Sequence, residues 1–429
     1  MNTLALPPSS IFPRKLIVTL CCGLSLGLGF KTMAQGLSFE QTLQIALQQA
    51  PSLQARLASV QGATALQTSA GQLPDPKLSF GLDSLPVNGP NRGSLTRDDF
   101  TQRQIGYLQD VPNRAKRAAR SDAAQARTER EQAMLQVERQ MIRREAGLAW
   151  LAVYFVQARL ELLEQHLAHQ QVLLDTAPNQ LATGKISAAD VASLRIEALN
   201  LADQQGDLER DLQQAISQLQ RWTGPAPAAA SATPLSGPPP TWPAASRDLL
   251  QQLTQNPEVA ALDPLSRMAA AEMREAQAAA QGDWSWSVNY GKRSRVFGDL
   301  ASVQFTFELP IAPGQRQQPL VTARQNELTR IDAERDDLLR KLLLEAQTLL
   351  AEHDELQRQL ARALNQALPL ANQRVLVVLA AYESGKTTLA GVQEARIKTT
   401  DIQLRVLELQ GRLAAAQWRL KTLTAEPSS

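Results

Sequence analysis

A heptad pattern of apolar residues dominates positions 134–163, which read MLQVERQMIRREAGLAWLAVYFVQARLELL. Two adjacent apolar columns run through this segment at sevenfold spacing. One holds Met134, Met141, Leu148, Phe155 and Leu162, and the other holds Leu135, Ile142, Ala149, Val156 and Leu163. Heptads sustained over this length are a strong coiled-coil signal. Because the columns are adjacent, the apolar face is wide, and the helix needs several neighbours, as in a layered bundle or a closed ring of helices.

The surrounding sequence allows this helix to be very long. No proline occurs between Pro112 and Pro178, and Gly147 is the only glycine there. At about 1.5 Å per residue, a helix over this stretch would extend on the order of 90 Å. A similar pattern returns over Leu320–Leu368, where Leu342, Leu349 and Leu356 form one column.

The chain repeats itself at a period near 200 residues. Residues 182–185 recur as 383–386, with 201 positions between Gly184 and Gly385. Asp110-Val111-Pro112 recurs as Glu308-Leu309-Pro310. Each copy predicts the same order of elements: a short helix, a second helix, two strands, a very long helix, a Gly-Lys turn and another long helix. Internal repetition of this kind indicates one interlocked architecture rather than independent domains.

The repeat sets the predicted domain boundaries. A signal peptide occupies 1–34, the first repeat 35–223, a connector 224–243 and the second repeat 244–429. Within the repeats we place hairpins at 77–109 and 284–309, and long helix pairs at 113–223 and 319–425. The connector contains seven prolines, a composition that excludes a helix or a central strand.

Four short segments break the helical period and alternate apolar with polar residues. They are residues 78–83, 100–109, 284–290 and 301–309, of which 100–109 alternates least regularly. Two interpretations stay open at this point. The strands form soluble hairpins with one buried face, or they cross a bilayer, for which about ten tilted residues suffice. Since four strands cannot close a barrel and open edges are not viable in lipid, the second interpretation requires several copies of the chain.

The N-terminus has the three parts of a secretory signal peptide. Arg14 and Lys15 precede an apolar run over Leu16–Phe30, and Thr32-Met33-Ala34 offers small residues for cleavage after Ala34. The alternative is a short membrane anchor. Cys21 and Cys22, the two cysteines of the chain, lie in this segment, so the mature chain would have no disulfide. After residue 35 no run of 18 apolar residues occurs, so we predict no helical membrane span.

Composition argues against several functional classes. Lys and Arg total 44 against 42 for Asp and Glu, a balance that does not favour a nucleic-acid partner. Three histidines leave little material for a catalytic triad or a zinc site. The sequence also has no Gly-rich phosphate loop and no nucleophile elbow. We therefore predict no enzyme activity and no cofactor.

The histidines receive structural interpretations. His166 and His169 share one helix face at a spacing compatible with metal ligation, but only Glu161 and Glu164 lie nearby to complete a site. We predict no metal site there. His353 falls in the column of Leu339, Ala346 and Leu360, which predicts a packed residue.

These features together resemble the outer-membrane efflux protein (TolC-like) family, and the resemblance covers essentially the whole mature chain. Its motifs are Leu73-Pro74-Asp75-Pro76 before the first strand, Pro112 and Pro310 closing the hairpins, and the two Gly-Lys turns. Residues 380–386, which read AAYESGK, look most like the heavy-metal (Czc/Cus-type) branch.

The resemblance implies a fold, a function and partners. The fold is mainly α with a β-barrel portion: a homotrimer would carry a 12-stranded barrel in the outer membrane, continued by a helical tunnel through the periplasm. The function is passive export, most simply of heavy-metal cations. An inner-membrane pump of the resistance-nodulation-division type and a periplasmic adaptor would deliver the substrate, and outer-membrane lipid would surround the barrel. The alternative is a periplasmic coiled-coil scaffold or adaptor protein without a membrane barrel.

The resemblance also implies site residues at the far ends of the helix pairs. Asp175 and Tyr382 align with two gate residues whose hydrogen bonds between neighbouring helix pairs hold the inner pair bent inward. A gate arginine of the family aligns with Thr387, and the adjacent Lys386 is the candidate to replace it. Glu394 aligns with one acidic ring of the pore, which would favour cations.

The two turns themselves are the candidate contacts for the adaptor. These tips span 181–187 and 382–388, and their candidate contact residues are Gly184, Lys185, Ser187, Gly385, Lys386 and Thr388. The glycines also have a structural explanation, because a helix reversal needs a left-handed backbone position that glycine adopts without strain.

Overall fold

The computed structural model describes residues 37–224, 249–293 and 296–424. All of them belong to one compact unit, Gly36–Ser429. The predicted signal peptide and nearly all of the predicted connector lie outside the described residues, so both stay predictions.

The first repeat follows the predicted order. Its elements are α1 (Phe39–Gln49), α2 (Pro51–Ala70), β1 (Lys77–Asp83), β2 (Gln102–Val111), α3 (Arg114–Ala182) and α4 (Ala188–Thr223). The starts of the helices have local causes. Ser38 and Gln41 form a capping box at α1, and the Asn113 side chain accepts a hydrogen bond from the Lys116 amide at the start of α3.

The second repeat has the same order of elements, but three helices precede its first strand where the first repeat has two. Its elements are α5 (Leu249–Thr254), α6 (Pro257–Ala260), α7 (Leu262–Ala278), β3 (Trp284–Lys292), β4 (Leu300–Phe307), α8 (Pro313–Arg362), α9 (Leu368–Glu383) and α10 (Leu389–Leu423). A π-helical turn over Ala363–Ala367 joins α8 to α9. The wide turn ends two residues before Pro369, which cannot donate a backbone hydrogen bond to an α-helical ladder.

One long helix differs from its predicted start, and two long helices continue through a proline. We placed the start of the second helix pair at 319, but α8 starts at Pro313 and continues through Pro319. Likewise α3 continues through Pro178 to Ala182 and has 69 residues, a length of about 100 Å. Pro313 fits because the first turn of a helix needs no amide donor. An internal proline removes one hydrogen bond, which a helix this long tolerates.

The four strands form a single antiparallel sheet in the order β1-β2-β3-β4. The hairpins of the two repeats are joined through β2 and β3, where Ile105 lies opposite Tyr290. Phe80 of β1 lies opposite Ile105, and Ala301 of β4 lies opposite Tyr290. The sheet therefore has two edges, β1 and β4, contributed by different repeats.

The main core lies where α1 packs against α3, α4 and α10. Trp150 is fully buried, and its indole donates a hydrogen bond to the Leu37 carbonyl at 2.9 Å. The Phe39 ring stands edge-on to Trp150 and to Trp418, at centroid distances of 5.4 and 4.9 Å. The heptad prediction is confirmed here, because Leu135, Ile142 and the other residues of their column are buried or half-buried.

One stretch of this helix bears on the prediction of no helical membrane span. By length and composition, α3 contains a window apolar enough to cross a membrane, whereas we predicted no such span after residue 35. No uninterrupted run of 18 apolar residues occurs in α3, so the window includes polar residues. Nearly half of the window is buried against other helices. A buried core helix has the same composition, so the window assigns no membrane span.

Candidate functional site

Both long helix pairs reverse through the same backbone turn. Gly184 has a φ of +68° and Gly385 a φ of +71°, which confirms the predicted left-handed positions. In each turn, the amide after the glycine reaches back to a carbonyl of the preceding helix, as in a Schellman motif. These bonds are Lys185 N to Gln180 O at 2.9 Å and Lys386 N to Ala381 O at 2.8 Å. Among the described residues, no neighbouring atom lies within 4 Å of a Cβ built on either glycine, so the backbone alone requires them.

The helix after each turn starts at a hydroxyl cap. The Ser187 hydroxyl accepts from the Asp190 amide at 3.1 Å, and the Thr388 hydroxyl accepts from the Gly391 amide at 3.4 Å. The two tips differ at the third helical position, which is acidic in the first repeat and glycine in the second. Only the first tip therefore forms a complete capping box.

Asp190 also joins the two tips. Its Oδ2 accepts from the Ser187 amide at 2.9 Å and from the Ser187 hydroxyl at 2.7 Å. Its Oδ1 accepts from the Ala390 amide at 3.4 Å, in the first turn of α10. The carboxylate lies at the N-termini of two helices, where the helix dipoles favour negative charge. The hydrogen bonds from Ser187, and then that from Ala390, lower the pKa of Asp190.

An apolar contact accompanies this link. Leu389 of the second tip packs against a cluster formed by Ala177, Ile186 and Leu194 of the first. The two predicted tips thus form one structural unit. Sequence reasoning did not identify Asp190 as part of the site, although Ser187-x-x-Asp190 is a capping-box pattern that could have indicated it.

The gate candidates lie in the region of this joined tip. Asp175 is exposed on α3 and accepts from the Gln171 side chain at 2.8 Å. Tyr382 is half-buried near the end of α9, and among the described residues no hydrogen bond joins it to Asp175. Lys386 is exposed and Thr387 is half-buried. The gate role of these four residues stays a prediction.

Glu394, the candidate for an acidic pore ring, has a partner that the sequence pattern did not indicate. Its carboxylate accepts from the Arg374 guanidinium at 2.9 Å, across α9 and α10. Both side chains are at least half exposed. The charge of Glu394 is therefore partly compensated in this conformation, and a ring of three such residues would carry a weaker field than three free carboxylates.

His166 and His169 line a narrow polar cavity of about 40 Å³, together with Glu197 and Asp401. Burial lowers the pKa of His166 and raises the pKa of Glu197. Within the described ranges no group of three or more His, Cys, Asp or Glu residues is arranged to hold a metal ion. His353 is buried, as its column predicts.

The sheet presents one mainly apolar face. The strand registers bring apolar side chains of all four strands to the same side. They are Leu78, Phe80, Leu82, Ile105, Tyr107, Trp284, Trp286, Val288, Tyr290, Ala301, Val303, Phe305 and Phe307. The opposite face carries mainly Ser, Gln, Asn and Thr. The apolar face is open in the single chain: Phe80 is 74% exposed and Phe307 is 65% exposed. A patch of this size marks a membrane or protein contact.

No protein-family model matches the sequence, and no curated protein matches it. Solved structures do match over nearly the whole chain. The structure of CusC, a protein that forms a transmembrane channel, superposes with a TM-score of 0.76 at 16% identity. The match covers 91% of this chain and 92% of CusC. VceC, an outer membrane protein of Vibrio cholerae, gives a TM-score of 0.74 at 19% identity, covering 90% and 95% of the two chains.

The outer membrane channel CmeC of Campylobacter jejuni gives a TM-score of 0.74 at 12% identity, covering 90% of this chain and 85% of CmeC. At these identities the likeness establishes the fold alone. The chain has the fold of these channel proteins, with long paired helices and a small antiparallel sheet.

Proposed function

We propose that this chain is one subunit of a trimeric outer-membrane channel, which serves a tripartite efflux system as a passive export conduit. The observation that carries the proposal is the apolar face of the four-stranded sheet, which is open to the surroundings in the single chain. The fold shared with solved outer-membrane channels supports the same conclusion.

Membrane insertion follows from the two faces of the sheet. Lipid would contact the face that carries Phe80, Phe305 and Phe307, while the Ser- and Gln-rich face would line a water-filled interior. A sheet with free edges is not viable in lipid, because the edge amides and carbonyls have no partners there. If edge β1 of one copy pairs with edge β4 of the next, these edge groups gain hydrogen-bond partners. Three copies of the four-stranded sheet would supply a 12-stranded barrel.

The long helices then extend the conduit away from the membrane. Each copy contributes two helix pairs, and α3 alone is about 100 Å long. The joined tip at the far end, with Gly184, Lys185, Ser187, Gly385, Lys386 and Thr388, is the proposed contact for a periplasmic adaptor. The adaptor in turn would connect the channel to an inner-membrane pump of the resistance-nodulation-division type.

The proposed gate and substrate are finer points of this function. Asp175, Tyr382, Lys386 and Thr387 would hold the tip closed through bonds to neighbouring helix pairs, and Glu394 would form an acidic ring. Heavy-metal cations are the proposed substrates, supported by the sequence resemblance to the Czc/Cus-type branch and by the likeness to CusC. Cells lacking the chain should lose more resistance to a metal cation such as Cu⁺ or Zn²⁺ than to organic dyes. A larger loss of resistance to the dyes would refute the metal substrate.

The membrane role is tested with two adjacent substitutions on opposite faces of β1. Phe80→Lys places a charge on the apolar face, at a cost of about 2–4 kcal/mol if the residue faces the lipid midplane. Ser79→Lys is the matched control, because Ser79 lies on the polar face. We expect the control to reach the outer-membrane fraction and elute in mild detergent at three times the mature chain mass, and Phe80→Lys to fail at one or both steps.

The alternative function gives a different result. A periplasmic scaffold without a barrel would appear in the soluble fraction and need no detergent. In that case Phe80→Lys and Ser79→Lys would both remain soluble, and the apolar face would be assigned to a protein contact.

A further inference from the structure

A cavity of about 600 Å³ lies between α3, α4 and α10, far from the helix tips. Four arginines line it: Arg159 on α3, Arg221 on α4, and Arg412 and Arg419 on α10. We call it the arginine cavity. We propose that it binds an amphipathic organic anion, with a carboxylate or sulfonate group and an apolar body. The proposal does not depend on the export role.

The charge of the arginine cavity is not neutralised locally. Its two glutamates are already paired with arginines outside the lining: Glu145 with Arg144 at 3.0 Å and Glu408 with Arg405 at 2.9 Å. Arg412 has a long contact of 3.4 Å to Glu352. Among the described residues, the other three arginines have no carboxylate within ion-pair distance. The cavity therefore has an excess of positive charge.

Arg159 shows where an anion would bind. Its Nε atom is buried and has no hydrogen-bond partner among the described residues. A buried donor without a partner is unfavourable, and such groups are uncommon in folded proteins. When the Arg159 side chain turns toward the cavity, a carboxylate or sulfonate oxygen bound there would accept this hydrogen bond. Guanidinium groups bind such planar or tetrahedral anions through two parallel donors, more strongly than a neutral acceptor would be bound.

The rest of the lining fits an apolar body. Leu148 and Phe155 of α3 contribute aliphatic and aromatic surface, and Trp222 lies beside them on α4. The Arg221 guanidinium lies over the Trp222 ring, 4.9 Å from its centroid, which holds both side chains in place. The volume falls within the range of about 300–1,000 Å³ that small-molecule sites occupy. A free metal cation is excluded from this cavity, because the arginines would repel it.

The test uses the full chain in its assembled form, in nanodiscs of uncharged lipid. The probes are dansyl sulfonate, which is anionic, and dansyl cadaverine, which carries the same fluorophore and a positive charge. Energy transfer from tryptophan to the bound dansyl group measures affinity. We expect dansyl sulfonate to bind at least tenfold more tightly than dansyl cadaverine, and the energy transfer to fall when Trp222→Phe removes the nearest donor.

Three variants locate the binding. Arg159→Gln should weaken dansyl sulfonate binding at least tenfold, since a hydrogen bond to a charged group is lost. Ala415→Phe fills the cavity without changing its charge and should also weaken binding. Arg210→Gln removes an arginine from the exposed face of α4, where it pairs with Asp207 and Asp211, and should leave binding unchanged.

The outcomes separate clearly. Equal affinity for the two probes, no effect of Arg159→Gln, or no binding to the assembled protein would each overturn the inference. Light scattering on each variant establishes that the assembly is intact. Absence of export by the wild-type chain, with dansyl sulfonate binding retained, would refute the proposed function and leave this inference standing.

Discussion

Replacing Gly147 by alanine should destabilise the main core, although alanine favours helix formation. Gly147 lies in the middle of α3 and faces the indole of Trp418 on α10. A Cβ at this position would lie 2.6 Å from Trp418 Cε2 and 3.0 Å from Cζ2. Contacts this short require one of the two helices or the indole to move.

The indole has little freedom to move. Trp418 is 3% exposed, and its Nε1 donates a hydrogen bond to the Arg144 carbonyl at 3.0 Å. The Phe39 ring packs edge-on against it. Overpacking of a core costs about 1–3 kcal/mol, and loss of the indole hydrogen bond adds about 1 kcal/mol. The higher helix propensity of alanine relative to glycine offsets about 1 kcal/mol of this destabilisation. The net destabilisation expected is therefore about 1–3 kcal/mol.

Thermal unfolding followed by the helical circular dichroism signal measures this effect at a fixed heating rate. The control is Gly206→Ala on α4, where no neighbouring atom lies within 4 Å of the added Cβ and the residue is exposed. This control should stabilise the protein by about 0.5–1 kcal/mol, so the two alanines act in opposite directions.

A double-mutant cycle assigns the cost to the indole. Trp418→Phe removes the atoms that meet the new Cβ, so Gly147→Ala should cost at least about 1 kcal/mol less in that background. The reasoning is refuted if Gly147→Ala raises the midpoint as Gly206→Ala does, or if its cost is the same with Trp and with Phe at position 418.

Three further predictions concern the joined tip. Gly184→Ala should cost about 1–2 kcal/mol, because a side chain is strained at positive φ; hydrogen exchange of residues 181–187 should accelerate, and unchanged exchange would contradict the backbone argument. The pKa of Asp190 is lowered on folding, so its carboxylate stabilises the protein fully at a pH above the unfolded-state pKa, about 3.9. This contribution to stability is lost as the pH falls through the folded-state pKa. Exchange protection of the first turn of α10 should follow that loss in the wild type but not in Asp190→Asn, and an identical pH profile for both would exclude the carboxylate link. Arg374→Gln removes the partner of Glu394 and should increase the cation preference of single channels, whereas Glu394→Gln should decrease it; equal shifts in both variants would argue against a pore position.

Local periodicity allowed much of this fold to be read from the sequence. The heptad column through Leu135 and Ile142 is buried or half-buried, because a helix and its apolar face are determined by residues a few positions apart. The same holds for the strands, where alternation places Phe80 and Phe305 on one face. Gly184 and Gly385 marked the helix reversals because only their backbone conformation, and no distant contact, requires glycine.

The tertiary structure decided what depends on segments far apart in the chain. Pairing of β2 with β3 merges two hairpins into one sheet, and the Asp190 to Ala390 hydrogen bond merges two tips into one unit. The packing of Gly147 against Trp418 likewise joins α3 to α10. No periodicity encodes these contacts, since each depends on how helices or strands from opposite repeats approach one another. The arginine cavity has the same origin: its arginines are unremarkable on three separate helices, and only the packing of those helices brings them around one volume.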